Sequence, residues 1–116
     1  MVPSVANPSK IKGTRFESDV VQFLQANGYP FAERRALAGT VDKGDVTGLG
    51  PDWVIECKAV REITLSSFVD EAEVERVNAG ATYGVAVVKR RGKNVAQAYA
   101  VMPFEKFVEL MRERDE

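Results

Sequence analysis

The sequence predicts a single α/β domain, a mixed central sheet flanked by helices in the order α-β-β-β-α-β-β-α. Three observations predict it. Two stretches with helical character end on glycines, at Gly28 and Gly80. The run Thr82–Lys89 (TYGVAVVK) is apolar on both faces, as a strand in the middle of a sheet is. The chain has 116 residues, 45% of them hydrophobic, enough for one core and not for two.

The elements follow in order. Residues 1–9 carry two prolines and small polar side chains, which predicts a flexible lead-in before a domain over 10–116. The first helix is predicted over Thr14–Asn27, with Phe16, Val20, Val21, Phe23 and Leu24 as its apolar face. Phe31–Leu37 reads as a strand and Ala38–Gly44 as a turn-rich loop. Asp45–Thr47 and Trp53–Val60 read as a hairpin closed by the tight loop Leu49–Asp52. A second helix is predicted over Ser66–Ala79, capped by Ser66 or Ser67. Arg90–Asn94 is a basic turn, Val95–Val101 a strand, and Pro103 opens a last helix to about Arg112.

Composition excludes several classes of chemistry. There is no histidine, which removes imidazole bases and most zinc sites, so any metal must be a hard ion on oxygen ligands. The one cysteine, Cys57, cannot form an internal disulfide, which with the absence of an apolar leader predicts a reducing cytoplasm. No stretch approaches a membrane span. Net charge is −1, yet the cations cluster at Lys10, Lys12 and Arg15, at Arg34 and Arg35, and at Lys89, Arg90, Arg91 and Lys93. The acids of Asp70–Glu75 read as a solvated helix face.

The strand Trp53–Val60 carries the chemistry. Trp53, Ile55, Cys57 and Ala59 share one face, and Glu56 and Lys58 share the other, roughly 7 Å apart. If Leu49–Asp52 is the loop, Gly48 opposes Trp53 and Asp45 opposes Glu56, two like charges roughly 5 Å apart on Cβ. A divalent cation between them removes the repulsion, and Mg²⁺ accepts such a ligand pair, with Mn²⁺ as a substitute. Lys58 beside it is placed to orient or deprotonate a water or to meet charge on a phosphate. The competing reading is a plain Glu56–Lys58 ion pair on a sheet face. Glu17 sits at the margin of the first helix's apolar face, and Thr14-x-x-Glu17 also reads as a capping box.

Asp45, ten residues, then Glu56-Cys57-Lys58 resembles the D-x(n)-(D/E)-x-K signature of the PD-(D/E)XK nuclease superfamily. With Lys12-Gly13-x-x-x-Glu17 on the preceding helix, residues Lys10 to Val101 resemble archaeal-type Holliday junction resolvases and their phage relatives. The resemblance implies a restriction-endonuclease-like fold. It implies that Asp45, Glu56 and the Cys57 carbonyl hold Mg²⁺, that Lys58 is catalytic, and that Glu17 completes the site. It implies a homodimer that cuts branched DNA by attack of a metal-activated water, leaving a 5′-phosphate. DNA contacts are expected from Lys12, Arg34, Arg35, Thr40, Lys43, Arg90, Arg91 and Lys93. The turn Arg90–Lys93 reads equally as solvated. Residue 44 is glycine where the family carries proline, and Pro51-Asp52 imitates the missing dipeptide from inside the tight loop. Glu71 stands where many relatives place glutamine, its role open. The alternatives are a nuclease of the same chemistry on other branched or duplex DNA, and a non-catalytic DNA-binding module on a decayed nuclease fold. Phe104, Phe107, Val108 and Met111 mark the last helix as core or dimer interface.

Overall fold

A computed structural model describes residues 8–36 and 41–115. Along the chain run α1 (Pro8–Ala26), β1 (Glu33–Arg34), β2 (Val46–Thr47), β3 (Trp53–Lys58), α2 (Leu65–Ala79), β4 (Tyr83–Val88), β5 (Tyr99–Val101) and α3 (Phe104–Asp115). The five strands form one sheet in the order β1-β2-β3-β4-β5. Only the central pair, β3 and β4, is parallel, with Glu56 opposite Ala86 and Lys58 opposite Val88. The other neighbours are antiparallel, so the sheet is mixed as predicted.

Each face of the sheet has its own core. On one face, Phe16, Val20 and Val21 of α1 pack with Ala32, Val46 and Ile55, and Cys57 and Ala59 border them. On the other, Phe68 and Ala72 of α2 meet Ala86 and Val88. β3 thus separates two layers: its odd-numbered residues turn to α1 and its even-numbered ones toward α2. Close approach of α2 needs Gly84, because a Cβ there would lie 2.6 Å from the Ala72 carbonyl oxygen.

Several boundaries move. α1 begins at Pro8, not Thr14, because proline is preorganised for the first helical position and Gly13 is tolerated within. Thr14 is therefore mid-helix, its carbonyl accepting from Ser18 Oγ at 3.1 Å, and the capping box does not form. Phe23 is 39% exposed and falls outside the core. β1 has only two residues, both exposed, at the sheet edge, and Phe31 lies outside it. Leu37, at the far end of the predicted strand, is outside the described residues. β3 ends at Lys58, whose carbonyl accepts from the Lys89 N–H. Thr64, not Ser66 or Ser67, takes the cap position of α2, and Ser67 Oγ donates back to the Thr64 carbonyl at 2.9 Å. Gly80 ends that helix with a left-handed φ of 67°. Val95–Gln97 forms a 3₁₀ turn instead of the start of a strand, because Val95 and Ala98, three residues apart, both turn inward onto the α1 core. α3 runs on to Asp115 with no buried residue.

Candidate metal centre

β2 and β3 pair with Val46 opposite Ile55, a register that, carried one residue further, would set Asp45 against Glu56. The ladder slips at Asp45, whose N–H donates to the Ile55 carbonyl at 2.8 Å. Gly44 causes the slip. Its φ of +95° disfavours any side chain, and a Cβ there would lie 2.7 Å from Val54 Cγ1. The Asp45 carboxylate then folds over β3, and its Oδ2 accepts from the Cys57 N–H at 2.7 Å.

Glu56 points into the layer beneath α2 and is 5% exposed. Lys58 Nζ lies 3.3 Å from Glu56 Oε1 and 2.6 Å from Glu71 Oε2 on α2. The ammonium also rests 5.6 Å from the centre of the Phe68 ring. Burial works against the Lys58 charge, but Glu71 and Glu56 outweigh it and hold the ammonium above its ordinary range. Glu71, left open by the sequence, therefore belongs to the site.

Two further carboxylates complete the cluster. Glu75 on α2 is 1% exposed, and neither of its oxygens has a hydrogen-bond partner among the described residues. It faces Glu56 and Asp42 at hydrogen-bonding distance, so that no donor stands between these acids unless one keeps its proton. Burial, with Glu56 and Asp42, pushes Glu75 above the usual carboxylate range, and burial, with Asp45, pushes Glu56 above it although Glu75 and Lys58 pull the other way. Asp42 accepts from the Gly44 N–H at 2.9 Å through Oδ1, and its carbonyl accepts from Asn78 Nδ2 of α2. Five carboxylates thus gather here, Asp42, Asp45, Glu56, Glu71 and Glu75, and Lys58 pairs with two of them, Glu56 and Glu71. A one-to-one ion pair does not describe this, and the solvated-face reading of Asp70–Glu75 fails at Glu75. One sequence signal for Glu75 existed. Phe68, Ala72 and Glu75 fall at i, i+4 and i+7, the inward stripe of α2.

Cys57 turns to the other face of β3, and burial with the surrounding carboxylates, Asp45 and Glu17 among them, pushes its thiol far up, so it is no thiolate. Glu17 pairs with Arg34 at 3.0 Å. Both line a cleft of about 470 Å³ with Arg35, Asp42, Lys43 and Asp45. Asp52 stands apart, exposed, with Oδ1 accepting from Thr82 Oγ1 at 3.2 Å.

The remaining cations divide. Lys12 and Arg91 line a second cleft of about 460 Å³ together with Arg61 and Lys89. Arg61 and Lys89 were not among the expected DNA contacts. Arg90 leans on the Tyr99 ring at 5.0 Å and reaches the Gln97 carbonyl. It braces its own turn, and Lys93 is exposed. Thr40 lies outside the described residues. No helix among the described residues is long and apolar enough to cross a membrane.

The chain matches no family model, no curated protein and no solved structure. The functional reading therefore rests on this geometry and on the residue pattern alone.

Proposed function

We propose that the chain is a Mg²⁺-dependent DNA endonuclease on a restriction-endonuclease-like fold, resembling the PD-(D/E)XK Holliday junction resolvases, with a four-way junction as first substrate. The observation that carries the reading is the Asp45–Glu56–Lys58 set. The carboxylate of Asp45, just ahead of β2, meets that of Glu56 on β3, a lysine two residues along β3 pairs with Glu56, and the buried Glu56 Oε2 has no donor among the described residues. An orphaned, buried carboxylate oxygen among excess acids fits a hard cation.

Asp45 and Glu56 would hold that cation, with the Cys57 carbonyl beside them. Bound there, Mg²⁺ supplies Lewis-acid polarisation of a phosphodiester and offsets the charge of the acids. Lys58, kept as an ammonium by Glu71 and Glu56, is suited to meet negative charge building on the phosphate and unsuited to act as a base. Glu17, fixed by Arg34, borders the approach to Asp45. The cleft bearing Lys12, Arg61, Lys89 and Arg91 offers phosphates a second track.

Two symmetric cuts in a junction need two sites, and a twofold dimer supplies them. The exposed Phe104, Phe107 and Met111 of α3 and the edge strand β5 are the surfaces open to a second copy. The test is Mg²⁺-dependent cleavage of labelled four-way junction, flap and linear duplex side by side. Preferential junction cleavage that Asp45→Asn abolishes supports the reading. Equal cleavage of duplex moves the substrate to plain DNA, and binding without cleavage leaves a DNA-binding module.

A further inference from the structure

Beneath α2 the acids outnumber what one cation explains. Asp42, Glu71 and Glu75 each place a carboxylate oxygen within 4.8 Å of the others. That spacing is what Ca²⁺ spans, and it is within small side-chain adjustments of Mg²⁺ or Mn²⁺. An acidic cluster on a surface would mean little, because solvent screens it. Here the innermost member, Glu75, is 1% exposed with both oxygens lacking a partner among the described residues. A third buried oxygen, Glu56 Oε2, also lacks a partner among the described residues, and its carboxylate meets Glu75 from outside the triad. The Lys58 ammonium reaches Glu56 and Glu71 but forms no ion pair with Glu75 or Asp42 among the described residues.

We propose that Asp42, Glu71 and Glu75 form a second divalent-cation site, distinct from the Asp45–Glu56 pair and joined to it through the contact between Glu75 and Glu56. Asp42 comes from the loop ahead of β2, and Glu71 and Glu75 lie one turn apart on α2. A cation there ties that loop to the helix, a link otherwise made, among the described side-chain hydrogen bonds, through Asn78 Nδ2 and the Asp42 carbonyl. The ligands are all oxygens, so the site takes a hard ion, Mg²⁺, Mn²⁺ or Ca²⁺, and not zinc. The bland competitor is that Glu75 simply holds a proton and donates it in a hydrogen bond to Glu56. Glutamine keeps a donor in that place but removes the negative charge, leaving at most a neutral carbonyl that binds a hard cation far more weakly, so one substitution separates the two.

The proposal rests on the Asp45–Glu56 reading only in being a second site, and binding of the metal alone tests it without DNA. Mn²⁺ is titrated into the full chain and free ion counted by electron paramagnetic resonance, with circular dichroism as the check on folding. The wild type is expected to bind two ions per chain. Glu75→Gln should bind one, Asp45→Asn one, and the pair together none. Asp42→Asn, at an exposed loop residue, repeats the Glu75 test where folding is not at stake. Unchanged stoichiometry in both Asp42→Asn and Glu75→Gln overturns the proposal. If the wild type and both of those variants bind one ion and Asp45→Asn binds none, the proposal falls and the Asp45–Glu56 reading survives alone. If Asp45→Asn leaves the wild-type count unchanged while Asp42→Asn loses an ion, the triad stands and the other reading falls.

Discussion

Replacing Lys58 with methionine keeps most of the length of the side chain beside Phe68, and it removes the ammonium that pairs with Glu56 and Glu71. At the 3.3 Å separation from Glu56, Coulomb's law with an effective dielectric of 20 gives a gross attraction of about 5 kcal/mol. Competition from Glu71 and partial exposure of the ammonium reduce that, to roughly 3 kcal/mol as for other half-broken buried pairs. The Glu71 pair, with that carboxylate 43% exposed, adds little. Glu56 can escape its loss by taking up a proton, so the loss depends on pH. Burial already holds the folded-state value of Glu56 above its ordinary 4.5, and Lys58 is among the groups that lower it. Without Lys58 that value rises further. A carboxyl whose folded value is raised contributes stability that is full below the unfolded value and is lost as pH climbs through the folded one. The variant therefore keeps losing stability at pH values where the wild type has stopped. Urea unfolding in EDTA at pH 5.5 and pH 8.5 reads the difference. A loss of about 1 kcal/mol at the lower pH and about 3 kcal/mol at the higher is expected. An equal loss at both would show that Glu56 is not the partner that matters, and the account of this site would fail.

Other perturbations act on the same geometry. Glu56→Gln should abolish Mg²⁺-dependent cleavage and, without metal at pH 8, raise stability by on the order of 1 kcal/mol, because the cost of burying the charge and the repulsion from Asp45 disappear and together outweigh the lost Lys58 pair; calorimetry and a nuclease assay read the two halves. Metal-free wild type should lose stability as pH rises from about 5, since Glu75 and Glu56 both sit above their ordinary 4.5, and millimolar Mg²⁺ should flatten that decline in a thermal melt. Exchanging Arg61 and Arg91 together for alanine should reduce the log–log salt slope of DNA binding by about two, and an unchanged slope would take the basic cleft out of the interface. Phe107→Asp should leave the melting temperature nearly unchanged, because that residue is 45% exposed, while light scattering shifts from dimer to monomer if α3 is the contact.

The order of elements was legible in the sequence because periodicity and stop signals are local. Gly80 halts α2, Pro103 opens α3, and the apolar run of β4 marks a central strand whatever surrounds it. The hairpin register was legible for the same reason: a short loop fixes which residues oppose, and so Asp45 and Glu56 could be paired on paper. The extent of β1 and β5 was not, since an edge strand lasts only as long as a neighbour pairs with it, and Val95 found a better place against α1. Glu17 escaped as well, because its choice between the Thr14 amide and Arg34 depends on where α1 starts and where β1 lies. Above all, Asp42 and Glu75 are separated by 33 positions in sequence from one another, and only the packing of α2 across β3 sets Glu75 against both Asp42 and Glu56. Charge type is written in the sequence, but burial is a property of the fold, and burial turns Glu75 from a helix-surface acid into a candidate cation ligand.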